Sequence, residues 1–166
     1  MATDLTSYIG VFDRLLAVTG HLLDKGAAHV GDNPDQILDW RLVEDMQPAR
    51  FQVMVACNFT RQWPARVAGL EAPADVGVDL DLAAFKAQVA EARAWLANFD
   101  REGLAKADEA EMTFTIGNGM SPTMSGGKWI EAFAAPNLYF HVSMLYAILR
   151  QHGVPLGKID FFAGGF

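Results

Sequence analysis

Four long stretches of this chain return apolar residues every three to four positions, and that period commits it to a helical architecture. From Asp4 to His29 the row is Leu5, Tyr8, Ile9, Phe12, Leu15, Leu16, Thr19, Leu22 and Leu23, continued by Gly26, with Thr3 or Asp4 able to cap its start. Gly31, Asn33 and Pro34 break the row, and Ile37, Leu38 and Trp40 predict a short helical turn after it. A second helix is predicted from Asp45, its candidate N-cap, to Ala68, with Pro48 in the first turn and a kink or early end at Pro64. After the long connection GLEAPADVGVD, a third runs from Leu80 to Phe99, its start marked by Asp79 and Asp81. The fourth, Lys128 to His152, stops at Gly153 with Pro155 beyond it.

Between the third and fourth helices the period changes. In EMTFTIGNGMSPTMSG, Thr113, Phe114, Thr115 and Ile116 alternate before a GNG turn, which predicts a small β-hairpin serving as a lid or an edge. No repeat, low-complexity tract or linker divides the chain. The expected fold is therefore all-α: one domain over residues 1–166, an up-and-down four-helix bundle with a hairpin inserted before the last helix. At 166 residues such a domain buries a core without staples.

A formal charge of −7 and the lack of a basic stripe argue against a nucleic-acid partner. The lone Cys57 excludes an internal disulfide and fits a reducing compartment. The first residues, MATDLTSYIG, lack the basic and apolar regions of a signal peptide, and no apolar run approaches the roughly 18 residues of a membrane span. A cytoplasmic protein without membrane contact is expected. The tail IDFFAGGF carries Phe161, Phe162 and Phe166, which either pack back on the bundle or cover a partner, and a homodimer is expected on that ground.

On the last helix, Phe133, Asn137, His141, Met144 and Ile148 form one row, which places Asn137 and His141 one turn apart facing the interior. Buried polar groups need hydrogen bonds, so these two either satisfy each other and neighbouring helices or line a polar pocket. Tyr139 lies between them, and Asp45 and Gln52 on the second helix could line the same cavity. His29, seven residues after Leu22, stays near the core row of the first helix and is a further candidate, with bonding of the last carbonyls as its plain role. His21 and His152 read as surface residues, and Cys57 as a buried filler. The glycines of IGNGM and SGGK do not form a phosphate loop, since neither follows the Walker pattern.

The run from His141 to Arg150, with YAILRQHGVP at its end, resembles the final helix of the DinB-like four-helix bundles, whose last helix commonly carries His-x3-His and a Leu-Arg, Gly-Val-Pro ending. More narrowly, the chain resembles a branch of that superfamily without an assigned function, in which ED-M-x-P (Glu44, Asp45, Met46, Pro48) opens helix two and PN-x-YFH (Pro136, Asn137, Tyr139, Phe140, His141) opens the helix-four motif. The resemblance implies a bundle of this type. Active members bind a divalent metal through three histidines, one from helix two and two from helix four, and some are thiol-dependent transferases. Here the second helix-four ligand falls on His141, the first on Asn137, and helix two contains no histidine, its equivalent position lying near Cys57 or Asn58. An amide is a poor ligand for zinc or nickel beside an imidazole. The expectation is a binder of a small ligand, without a cofactor, in a pocket around Asn137, His141, Tyr139, His29, Asp45 and Gln52. One rival is a metal-dependent transferase or hydrolase holding zinc or nickel through His141, His29 and Asn137 with an Asp or Cys as substitute. The other is a structural or regulatory dimer without a pocket.

Overall fold

The computed structural model describes residues 4–165, so the proposed cap at Thr3 and the ring of Phe166 lie outside the described residues. Four long helices form the bundle: α1 (Ser7–Val30), α2 (Ala49–Val67), α3 (Leu82–Ala97) and α5 (Gly126–Gln151), with a short α4 (Arg101–Lys106) that the sequence reading did not anticipate. A 3-10 turn at Pro34–Asp39 follows α1, a second at Lys158–Phe162 closes the described chain, and the hairpin pairs β1 (Glu111–Thr113) with β2 (Thr123–Ser125).

The helix ends follow local chemistry. Asp81 caps α3 by accepting from Ala84 N–H at 2.7 Å, and Gly153, at φ 88°, takes the left-handed turn that stops α5. α2 begins at Ala49, not near Asp45. Pro48 stands at its N-cap with extended ψ, and the residue before a proline is disfavoured in helical geometry, which leaves Asp45 exposed in the preceding loop. Pro64 does not end α2, which runs on to Val67. The ring is buried and lies in the last turn, where only one ladder bond is lost.

The bundle does not simply alternate up and down. Asp13 meets Arg93 and Asp24 meets Lys86, so α3 runs antiparallel to α1. Arg50 reaches the carbonyls of Val78 and Leu80, and Arg61 faces Glu91, so α3 runs parallel to α2. The connection after α2 makes this possible by returning along the helix it has just left. Asn58 clamps both backbone groups of Val76, and the Gln62 amide donates to Pro73 O and Asp75. Within this frame α1 and α2 each pack against both α3 and α5.

α5 contains a π-helical segment, Trp129–Ala134, immediately before Pro136. Proline offers no N–H to the carbonyl one turn earlier, and a wider turn absorbs the mismatch. Beyond it, Leu138, Val142, Leu145 and Leu149 form the buried row. By length and composition the 26 residues of α5 would pass for a membrane span, contrary to the sequence expectation; the row just named packs into the bundle as a core helix does. The connection from α4 to β1 and the start of α5 join through Gly126 and Gly127, whose N–H groups donate to Ala110 O and Asp108 O at 2.9 Å. A Cβ at Gly126 would overlap the Ala107 carbonyl, so this glycine pair serves close backbone approach.

Candidate functional site

Because the buried row of α5 is Leu138, Val142, Leu145 and Leu149, the Asn137 and His141 row flanks the core instead of facing its centre. Asn137 and His141 do not bond each other. The Asn137 amide donates to Phe133 O at 2.8 Å, back into the π segment. His141 turns to α2, where its Nδ1 lies 2.7 Å from Gln52 Oε1.

That contact fixes a proton. The Gln52 amide nitrogen donates to Gln47 O at 3.1 Å, so the amide oxygen faces the ring and can only accept. Nδ1 of the neutral imidazole therefore carries the hydrogen, and the lone pair sits on Nε2. Among the described residues Nε2 has no partner and no fully buried side-chain nitrogen or oxygen lacks one, so Nε2 reaches solvent. Gln52 itself is 3% exposed, whereas His141 is half-buried. Burial pushes the His141 imidazole below its ordinary value of 6.5, which keeps it neutral near pH 7.

Aromatic rings frame the imidazole: Phe51, Phe59 and Phe140 stand 5.9, 6.5 and 5.3 Å from it between ring centroids. Phe59 continues through Phe133 and Trp63 to Trp129 and Phe114, which ties the site to the π segment and the hairpin. The Trp129 indole N–H donates to Met112 O at 2.9 Å, so the hairpin roofs this aromatic layer. Phe140 belongs to the helix-four motif and Phe133 to its row, whereas the rings of α2 were not among the residues singled out for the site. Phe51, Phe59 and Trp63, spaced by eight and four along α2, were the available signal.

Of the predicted pocket residues the fold brings only Gln52 to His141. His29 is exposed at the C-terminal end of α1 beside Gly153, 12 residues along α5 from His141, or about 18 Å at helical rise. Asp45, displaced by the late start of α2, makes no hydrogen bond or ion pair with a described residue. Tyr139 lies two residues from His141, roughly 200° around the helix, and lines a different groove, on the α1 side. His21 and His152 are not idle surface groups either: His21 bonds Asp160 at 2.8 Å, and His152 stacks on Trp40 at 4.5 Å.

These donors do not fit the divalent metal that the resemblance implies. His141 offers one nitrogen, Asn137 offers only an amide oxygen, a poor ligand for zinc or nickel, and His29 lies at the far end of the bundle. On α2, Cys57 is fully buried with its thiol pushed up to about 12 by desolvation, and Asn58 is committed to Val76. Among the described residues no three His, Cys, Asp or Glu side chains are grouped to hold an ion.

Residues 6–162 match the family described as a domain of unknown function (DUF1993). The crystal structure of a DinB family member from Shewanella denitrificans is similar to this chain at a TM-score of 0.80 and 28% identity, over 95% of this chain and 89% of that one. No curated protein matches. With nearly its whole length inside the family match and the bundle shared with a DinB family member, this chain belongs to the DUF1993 family and has the DinB-like fold.

Proposed function

We propose that the protein binds a small ligand at the α2–α5 seam, with His141 Nε2 as the anchoring acceptor. The reading rests on one observation: the Gln52 contact at 2.7 Å commits Nδ1 to donation and leaves a solvent-reaching lone pair among Phe51, Phe59 and Phe140. Such a site takes a neutral molecule with a hydroxyl, amide or amine N–H and a flat apolar part, since the rings offer faces and edges and the neutral imidazole offers an acceptor. The position also fits a metal triad that has eroded to a single imidazole, and a buried, unpaired Cys57 is in keeping with a cytoplasmic setting.

Titration of the 15N-labelled protein with a fragment set of phenols and benzamides tests this. The expected result is a saturable shift of the His141 Nε2 resonance and of the backbone amides around Gln52 and His141, the amide shifts being lost in His141→Phe. Perturbations that ignore His141 across the set would overturn the reading. Elemental analysis of untagged protein separates the rival: near-stoichiometric zinc or nickel would support a metal-dependent enzyme and reject a metal-free binder.

A further inference from the structure

A cavity lies on the flank of α5 opposite His141. It has a volume of about 300 Å³, and Val11, Arg14, Leu15 and Val18 of α1, Tyr139 of α5 and Phe161 of the tail line it. The tail is held there by chemistry. Asp160 accepts from Gly157 N–H at 2.7 Å and meets His21 at 2.8 Å, and Phe161 packs against Tyr146 with centroids 6.2 Å apart. A Cβ at Gly164 would overlap the Arg14 carbonyl, so the tail backbone closes directly over α1.

Arg14 is the unusual member of the lining. Every other lysine or arginine that is at least half-buried among the described residues has a partner: Lys25 with Asp160, Arg50 with Asp39, Arg61 with Glu91, and Arg66 over Trp63. Arg14 is half-buried and has none. Asp13, its neighbour in sequence, and Asp160, on the tail that lines the groove, are engaged elsewhere. Asp13 accepts from Arg93 Nε and Nη2 at 2.7 and 3.1 Å, and Asp160 faces His21 and Lys25. In a chain of net charge −7, Arg14 is thus a half-buried guanidinium that meets no carboxylate among the described residues, and it lies beside an apolar groove.

We propose that this groove binds a small monocarboxylate with an apolar body. Its carboxylate is taken by Arg14 as a charge-assisted, fork-shaped pair, and its hydrocarbon lies on Val11, Leu15, Val18 and Phe161. The volume falls at the lower end of the range of about 300–1,000 Å³ for small-molecule sites, which suits a short amphiphile. A phosphate is disfavoured: its second charge would go unpaired against apolar walls. This site is separate from the His141 seam, and each stands or falls alone.

Calorimetric titration of the full chain with octanoate, and with octan-1-ol as the uncharged control, tests the proposal. Saturable one-to-one binding of octanoate, tighter than octan-1-ol, is expected. Arg14→Gln should weaken octanoate by about tenfold or more while leaving octan-1-ol unchanged. Val11→Trp should fill the groove and abolish both, and His141→Gln should alter neither. The wild-type comparison of acid and alcohol needs no variant, so a misfolded mutant does not blunt the test. Octanoate bound no tighter than octan-1-ol, or equally by Arg14→Gln, would overturn the proposal. So would a dimer by light scattering that excludes octanoate, which would assign the groove to a second copy.

Discussion

Replacing Gln52 with leucine separates the stability of the α2–α5 seam from its chemistry. The wild-type side chain is 3% exposed and makes two hydrogen bonds, to His141 Nδ1 at 2.7 Å and to Gln47 O at 3.1 Å. Each contributes about 0.5–1.5 kcal/mol net, so their loss costs about 1–3 kcal/mol. A fully buried leucine of similar volume returns about 1.5–3 kcal/mol of transfer free energy. Both orphaned partners retain water: Gln47 is exposed and the His141 ring is half-buried. The two sums nearly cancel, and the stability of Gln52→Leu should lie within about 1 kcal/mol of wild type in a urea melt. The imidazole, by contrast, loses the acceptor that selects its tautomer. One bond of about 0.5–1.5 kcal/mol corresponds to a two- to tenfold shift in the tautomer ratio away from Nδ1–H. Long-range 1H–15N correlation above pH 7.5 reads this directly, with Nδ1 protonated and Nε2 bare in wild type. A wild-type spectrum showing Nε2 protonated would refute the assignment of the lone pair, and an unchanged ratio in Gln52→Leu would refute its cause.

Four further outcomes follow from the same structure. Burial holds the folded His141 below its ordinary 6.5, so the unfolded chain takes up the proton first; stability is full above that value and falls as pH drops below it, and a stability–pH profile from urea melts should flatten there in His141→Gln. The fully buried Cys57, with its thiol pushed up to about 12, should ignore Ellman's reagent at pH 8 until the protein is unfolded, and rapid labelling of the native chain would show the helix packing wrong. Gly126→Ala should destabilise by about 1–3 kcal/mol in a urea melt, because its new methyl meets the Ala107 carbonyl and Val67; a change under about 0.5 kcal/mol would mean that α5 does not start this close to the ends of α4 and α2. For assembly we propose a homodimer using outer helix faces, since Phe140 stands 53% exposed on α5. Light scattering should give twice the 18.1 kDa chain mass, falling to one chain in Phe140→Glu, and a monomeric wild type would reject it.

The helical period of Leu5 to Leu23, the Asp81 cap, the Gly153 stop and the alternation before GNG were enough to place four long helices and a hairpin, because each is a local signal carried by adjacent residues. The family resemblance was legible for a similar reason, resting on contiguous runs around Pro48 and Pro136. Helix direction was not. Parallel α2 and α3 depend on a connection that folds back through Asn58 and Gln62, contacts made only once the chain is compact. The site divided along the same line. Spacing alone put Asn137 and His141 on one row, but the rotation of α5 about its axis is set by which row fits against α1 and α2. That rotation moved His141 to the seam with Gln52 and turned Tyr139 to the far groove. His29 and Asp45 followed their helix ends away from the seam, since proximity between helices depends on register and length, which no single helix encodes. The uncommitted charge of Arg14 is likewise a tertiary fact: only the packed structure shows which carboxylates its neighbours have already taken.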